Sequence, residues 1–345
     1  MFYVAFTIDT EPDNQWADHR CRSNRNIGSL LPLQKLLARF GATPTYLVTY
    51  NVATDPESVR TLRELLDVCP TEIGAHMHPW DNEPFTPDGW DVEHAVFPHD
   101  LPIELFERKL SALVGAICRD FPHPTAYRAG RFGFVGAHAR VLESLGFEVD
   151  CSITPLIDRR DKIGRPLRQG GLGGRDFREA PLDAYRLAYA DACRVGTSRL
   201  IELPLTSGVT RRWPEHAQHW LARTPWYVRG VLSRTRIVRI VTGSPVQFRL
   251  ADIIAMLSST LARGAHAVNL TFHSSELMPG GSPLFPSQSE VDQFLRKIEA
   301  ILDWLGRRGG CQFASATQVA RALGRRGWIK GKHESGSYDN RLGLA

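Results

Sequence analysis

Residues 4–13 of the chain read VAFTIDTEPD, an apolar, β-rich run that stops at two carboxylates, Asp9 and Glu11. Three more apolar runs stop in the same way at polar residues of different chemistry: His76 and His78 after EIGA, Arg128 and Arg131 in AYRAGR, and His273 and Glu276 after AVNLTF. The carboxyl ends of parallel strands meet at one rim of an α/β barrel, where enzymes of that fold keep their catalytic residues. We therefore expect these side chains to form one site, with the composition that a metal-assisted hydrolase needs.

The alternation of strands and helices predicts the fold class. Apolar strands are predicted over 3–9, 44–50, 72–76, 125–129, 148–153, 200–205, 267–273 and 312–314. Helical patterns lie between them, over 30–40, 56–69, 103–121, 137–145, 250–263 and 287–307. This order is typical of a parallel sheet, and about eight strands predict a distorted (β/α) barrel of seven or eight strands.

One domain is expected over residues 1–323, because α/β barrels often reach this length. An arginine- and tryptophan-rich helical insertion is predicted around 211–245. The C-terminal tail, 324–345, has little to bury and is expected to be mobile.

Composition narrows the class of protein. The chain has 345 residues, of which 43% are hydrophobic and 23% charged, as in ordinary globular proteins. Its six cysteines form no CxxC pair, which argues against a cysteine zinc site or a disulfide framework. No apolar run is long enough to cross a membrane and no secretory leader precedes the first strand, so we expect a cytoplasmic protein. No nucleic-acid-binding module is recognisable, and no nucleic-acid partner is expected.

The segment 211–239 is strongly basic. It contains seven arginines and one acid, Glu215, interleaved with aromatic residues at Trp213, Trp220, Trp226 and Tyr227. Two interpretations are open. The segment is a solvated helix face, or it contacts an anionic group such as a nucleotide-sugar pyrophosphate, a lipid phosphate or an acidic membrane leaflet.

Spacing along the strands predicts which groups act together. Residues two apart in a strand point to the same side, so Asp9 is paired with Glu11 and His76 with His78. Two imidazoles and one carboxylate around an open position are a common catalytic metal set, and a second carboxylate could take the proton of the activated water. His273 could serve as a general acid that protonates a leaving amine.

The remaining rim residues allow more than one role. Arg128 and Arg131 could bind a substrate carboxylate or phosphate, hold the base ionised, or form structural ion pairs. Trp80 could offer an apolar face to a sugar ring or pack in the core. Glu276 could be a hydrogen-bond partner of its neighbours. We assign Arg131, Trp80 and Glu276 to substrate binding.

Five ordered motifs resemble those of the polysaccharide deacetylase (NodB-homology) family: TIDTEPD, EIGAHMHPW, YRAGRFG, VDCSITP and LTFHSSELMPGGSP. The resemblance covers about residues 3–320 apart from the basic insertion. It is closest to a branch with His-x-His-Pro-Trp and His-Ser-Ser-Glu-Leu motifs. It implies a distorted (β/α) barrel and a divalent metal, usually zinc, with cobalt, nickel or manganese as alternatives.

By the same resemblance, Asp9 is the general base, Arg128 its partner, His76 a metal ligand and His273 the general acid. The family has adjacent aspartates in its first motif, but Thr10 stands at the second place here. Glu11 is therefore assigned as the ligand, although Asp9 and Glu11 could exchange roles.

The second motif departs from the family in a similar way. In the family the two histidines are four positions apart, whereas here His78 is only two positions after His76. His78 is assigned as the second imidazole ligand.

The resemblance implies a metal-dependent carbohydrate N-deacetylase, a hydrolase acting on C–N bonds other than peptide bonds. Its substrate would be an acetylated sugar of a glycan, lipid-linked or nucleotide-linked precursor, which could carry a phosphate. Contact with a membrane or lipid-linked substrate would involve segment 211–239. Two alternatives stay open: a non-catalytic sugar-binding relative on the same fold, and an amidohydrolase acting on a small non-sugar amide such as a ureide.

Overall fold

A computed structural model describes residues 1–161, 173–235 and 237–329. Its strands are β1 Phe2–Thr10, β2 Thr45–Val48, β3 Glu72–Met77, β4 Ala126–Ala129, β5 Val149–Asp150, β6 Tyr185–Ala188, β7 Asp191–Val195, β8 Ile201–Glu202, β9 Ser207–Val209, β10 Ile240–Thr242, β11 Ala267–His273 and β12 Cys311–Phe313. Its α-helices are α1 Leu31–Arg39, α2 Tyr50–Thr54, α3 Pro56–Val68, α4 Trp90–Glu93, α5 Ile103–Cys118, α6 His138–Ser144, α7 Glu215–Arg223, α8 Trp226–Arg234, α9 Leu250–Ala262, α10 Gln288–Gly306 and α11 Ala316–Arg325.

The main sheet has the strand order β11-β1-β2-β3-β4-β5-β8-β6-β7, and β12 also pairs with β1. Neighbours from β11 through β8 are parallel, whereas β6 is antiparallel to both β8 and β7. The sheet curls back on itself, because the chain after β8 reaches β11, where Thr206 N donates to Asn269 O at 3.1 Å. The predicted distorted barrel is confirmed.

Helices α1, α3, α5, α9, α10 and α11 each bury an apolar stripe. All nine residues of β1 are buried, as expected for a strand covered on both faces. Helix α10 shows the matching helical pattern, with a buried face made by Val291, Phe294, Ile298, Ile301, Leu302 and Leu305. Of the described helices, none has the length and apolar character needed to cross a bilayer.

Strands β5 and β8 are much shorter than the predicted runs 148–153 and 200–205. Polar side chains take over the backbone bonds there: Ser152 Oγ accepts from Ala129 N at 2.8 Å, and Glu202 Oε1 accepts from Ile153 N at 3.1 Å. The sequence pattern also did not predict the hairpin β6–β7 or the separate antiparallel pair β9–β10.

The basic insertion contains the two helices α7 and α8. At the other end of the chain, the first residues of the predicted tail complete α11, and Trp328 stacks on His266 at 4.0 Å between ring centroids. The rest of the predicted tail, 330–345, lies outside the described residues.

A buried lysine fastens the loop that follows β3. Lys109 of α5 is fully buried, and its Nζ lies 2.6 Å from Oδ2 of Asp91. The same ammonium donates to the carbonyl oxygens of Pro79 and Asn82. Because this loop follows directly on His78, the ion pair supports the rim that carries the histidines.

We expect Lys109→Ala to lower the free energy of unfolding by about 3–5 kcal/mol, because it leaves the Asp91 carboxylate buried without its cation. Urea denaturation measures the change. The matched control is Lys35→Ala, at an exposed helix position, where we expect a change within about 0.5 kcal/mol. Equal stability of the two variants would contradict this role for Lys109.

Candidate active site

Glu11, His76 and His78 meet at the carboxyl ends of β1 and β3. Glu11 Oε2 lies 2.9 Å from His78 Nε2 and 3.6 Å from His76 Nε2. All three residues are buried, and one ligand atom from each lies within 4.8 Å of the others. A carboxylate and two imidazoles in this arrangement could hold a divalent metal ion.

Hydrogen bonding orients His76 for this task. Its Nδ1 lies 3.0 Å from the carbonyl oxygen of Arg128, and a carbonyl can only accept, so Nδ1 carries the hydrogen. Its Nε2 then faces Glu11. Metal-ligating histidines are commonly held in this way by a backbone carbonyl.

His78 is held by packing. Gly130 lies directly against it, and a Cβ atom at that position would come within 2.5 Å of His78 Nδ1. The glycine of the YRAGRFG motif therefore leaves room for the imidazole.

The protonation states of His78 and Glu11 also suit the binding of a cation. Burial lowers the pKa of His78 to about 4 despite the neighbouring Glu11, so the ring is neutral at neutral pH. Burial alone would raise the pKa of Glu11, but the nearby histidines His273, His76 and His78 outweigh it and lower the pKa, so this carboxylate is ionised. Neutral imidazoles and an ionised carboxylate are the forms that bind metals.

Asp9 has a different partner. Its Oδ1 accepts from Nη1 of Arg128, a side chain that is fully buried in the barrel. Burial would raise the pKa of Asp9, but the guanidinium lowers it, so Asp9 is ionised. This is the arrangement of a general base held in its active form.

His273 lies beyond Asp9 on the same rim. Its Nε2 is 3.9 Å from Asp9 Oδ2 and 4.0 Å from Glu11 Oε1, and its side chain is 31% exposed. Burial lowers the pKa of His273, but Glu276, Glu11 and Asp9 outweigh it and raise the pKa to about 10. The imidazole is therefore protonated at neutral pH and can donate a proton.

The residues assigned to substrate binding lie close to these groups. Glu276 is buried, accepts from the backbone N of His273 at 2.9 Å, and lies 3.4 Å from its Nδ1. Trp80 is only 2% exposed and packs against His78, with 4.3 Å between ring centroids. Their role in binding substrate stays a prediction.

Arg131 lines the cavity above the rim. It takes a left-handed backbone conformation with φ 54°, which is uncommon for a residue with a side chain. Its guanidinium donates to the carbonyl of Ala95 and lies 3.9 Å from the ring centroid of Phe97.

One cavity of about 800 Å³ is lined by all the proposed metal ligands together with Asp9, Arg128 and His273. Sequence analysis missed other lining residues, namely Gln15, Trp16, His19, Arg159, Gln247 and Phe248. Trp16 contacts His273 edge-on at 4.8 Å. Three of these residues could have been identified from their place in the sequence, because Gln15, Trp16 and His19 lie in the loop that begins at Glu11.

Sequence analysis also missed two basic residues that hold the loop after β3. Arg22 forms an ion pair with Asp81 and donates to the carbonyl of Trp80 at 2.7 Å. Lys109 holds the next part of the loop. The sequence pattern could have identified Lys109, because it falls within the apolar stripe of α5 and a lysine is rarely buried without a partner.

No protein-family model matches this chain, and no curated protein sequence matches it. Solved structures do. A candidate polysaccharide deacetylase from Mycobacterium smegmatis is 16% identical with a TM-score of 0.50, and the match covers 96% of this chain and 92% of that protein. A candidate glycoside hydrolase/deacetylase from Parabacteroides distasonis is 12% identical with a TM-score of 0.57, covering 94% of this chain and 71% of that protein.

A branching enzyme from the archaeon Thermococcus kodakaraensis, solved in complex with glucose, is 10% identical with a TM-score of 0.51, covering 93% of this chain and 71% of that protein. At these identities the similarity shows the fold. The chain has the barrel of the deacetylase-type structures, as the motif resemblance implied.

We expect the purified protein to bind one equivalent of zinc or a similar divalent ion. His76→Ala and His78→Ala should each weaken binding by more than about 100-fold, because each removes a ligand rather than an outer-shell partner. Calorimetric titration of metal into metal-free protein measures this. The control is His216→Ala, an exposed histidine outside the cavity, which should bind normally. Equal affinity in all three variants would contradict the assignment.

Proposed function

We propose that this protein is a metal-dependent deacetylase that removes an acetyl or other acyl group from an amino sugar. One observation carries the proposal. An ionised carboxylate held by arginine, a protonated histidine and a Glu/His/His group all border the same cavity. These are the parts that hydrolysis of an amide requires: a base, an acid and a site for an electrophilic ion.

Glu11, His76 and His78 would hold the ion. When bound, a divalent metal would polarise the acyl carbonyl and make a water molecule more acidic. The Glu11 carboxylate and the neutral imidazole of His78 suit this role, and the orientation of His76 supports it.

Asp9 would accept a proton from the attacking water. Its carboxylate is kept ionised by Arg128, which is itself fixed by Thr7 Oγ1 at 2.6 Å and Thr271 Oγ1 at 2.7 Å. The base therefore cannot turn away from the cavity without breaking a buried ion pair.

His273 would donate a proton to the departing nitrogen. A C–O bond forms between the water oxygen and the acyl carbon, and the C–N bond breaks. One proton moves from water to Asp9 and one from His273 to the amine. The immediate products are a carboxylic acid such as acetic acid and a free amino sugar. The acid loses its remaining proton to His273, which regenerates the imidazolium and leaves the carboxylate, and Asp9 releases its proton to solvent or to the amine.

The cavity walls support a sugar substrate. Trp16, Phe132 and Phe248 line the cavity and are suited to the apolar faces of sugar rings. A volume of about 800 Å³ favours one or more sugar rings over a small ureide, since ligand pockets of this size hold much larger molecules.

The same walls would accept an anionic group on the sugar. Arg159 lines the cavity, and its guanidinium lies 4.1 Å from the ring centroid of Phe132. Burial lowers the pKa of Arg159 to about 10, which still leaves it positively charged at neutral pH. With Arg131 it gives this side of the cavity a positive wall, consistent with a phosphate-bearing substrate.

Acetate release from a panel of N-acetylated nucleotide sugars and lipid-linked sugars tests the proposal. We expect turnover of at least one of them. Asp9→Asn and His273→Ala should each lower kcat by about 10²–10⁴-fold, because each removes one proton-transfer group. Metal content should stay at the wild-type level in His273→Ala.

Glu276→Gln is the sharper control for His273. It removes the largest of the charges that raise the pKa of His273, so the alkaline limb of the pH–rate profile should move to lower pH. A metal-free protein without turnover would favour the non-catalytic sugar-binding relative. Turnover of a ureide and of no acetamido sugar would favour the small-amide hydrolase.

A further inference from the structure

The α7–α8 hairpin presents an apolar surface that nothing in the described chain covers. Four of the eleven exposed large hydrophobic residues of the described chain lie on it, and a fifth, Ile237, follows α8. We call these five residues the hairpin face: Trp220 (61% exposed), Trp226 (77%), Tyr227 (59%), Val231 (57%) and Ile237 (52%). Such a concentration, unlike scattered surface residues, marks an interaction site.

Helix α8 is placed so that this face points outward. None of its residues is buried. Trp226, Tyr227 and Val231 are spaced so that they lie on one side of the helix, and Arg234 continues that side one turn later. The helix therefore keeps an apolar side in solvent, where it costs free energy unless a partner covers it.

The segment that carries the hairpin face also exposes positive charge. Arg212 and Arg234 are exposed, and neither makes an ion pair within the described residues. The acid of the segment, Glu215, is half-buried and already engaged, accepting from Leu182 N at 3.2 Å and lying 3.6 Å from His219 Nε2. The outward side thus combines aromatic rings with unneutralised arginines.

We propose that the hairpin face docks on the surface of a bilayer rich in anionic phospholipid. Tryptophan and tyrosine favour the headgroup region of membranes, and arginines are attracted to acidic headgroups. A second copy of this chain fits less well, because a two-fold contact through this face would place arginines against arginines.

The hairpin lies near the active-site cavity, so docking there would bring the membrane close to the catalytic groups. The inner side of α8 and the chain at Leu156 and Ile157 enclose a second cavity of about 380 Å³. Ile157 also lines the active-site cavity. A sugar carried by a membrane lipid would therefore be delivered next to the catalytic groups, a consequence that rests on the proposed function.

Co-sedimentation of the 345-residue chain with vesicles tests the proposal. The protein should bind vesicles of phosphatidylcholine mixed with phosphatidylglycerol, and should bind phosphatidylcholine alone much more weakly. Added salt should weaken the binding, because the headgroup attraction is screened.

Two variants separate the apolar from the electrostatic contribution. Trp226→Ser combined with Tyr227→Ser and Val231→Ser should abolish binding. Arg212→Ala with Arg234→Ala should weaken it about 25-fold, at about fivefold for each arginine. The control is Leu284→Ser, which changes an equally exposed residue (60%) outside the hairpin. Circular dichroism checks that each variant is folded.

Several results would overturn the proposal. They are equal binding to both kinds of vesicle, no binding to either, or binding that the triple serine variant retains. If the wild type instead forms dimers in the absence of lipid and the triple variant does not, the hairpin face is an interface between two copies. Because the experiment involves no turnover, its outcome is independent of the proposed deacetylase activity.

Discussion

The buried guanidinium of Arg128 is the interaction on which the site depends. Its side chain crosses the barrel interior from β4, bonding Asp9 and Thr7 of β1, Thr271 of β11 and the carbonyl of Cys151 at 2.9 Å. Its own carbonyl accepts from His76 Nδ1. One residue therefore fixes the proposed base, Asp9, through its side chain and the proposed metal ligand His76 through its backbone. A buried cation is tolerated only with such partners, which makes the site and the barrel mutually dependent.

Two further sets of charges support this arrangement. Asp150 and Glu202 are buried close to Arg128, and burial raises the pKa of both carboxyl groups. Because the pair then carries less negative charge than two ionised carboxylates, it competes less with Asp9 for the guanidinium. Arg22 and Lys109 hold the loop after β3 through its carbonyl oxygens. The loop beside the histidines is thus anchored by ion pairs, as the proposed catalytic site would require.

The barrel was predictable because its strands are continuous apolar runs and its helices have clear apolar stripes. The rim residues were also predictable as neighbours, since they follow those strands. The contact that distinguishes Asp9 from Glu11 was not predictable from the strand pattern: the family resemblance assigned Asp9 as the base and left an exchange with Glu11 open. That contact depends on which carboxylate Arg128 reaches from β4, and no local pattern encodes a contact between residues 119 positions apart. The short β5 and β8 escaped prediction for a similar reason, because side chains of Ser152 and Glu202 replace ladder bonds only in the folded barrel.

X-ray absorption spectroscopy of the zinc-loaded protein is the most direct test of the central claim, that Glu11, His76 and His78 form one metal site. We predict imidazole nitrogen and carboxylate oxygen ligands at about 2.0–2.2 Å, with the multiple-scattering signal of two histidines. That signal should fall to one histidine in His78→Ala. A spectrum with sulfur at about 2.3 Å, or one without imidazole scattering, would contradict it.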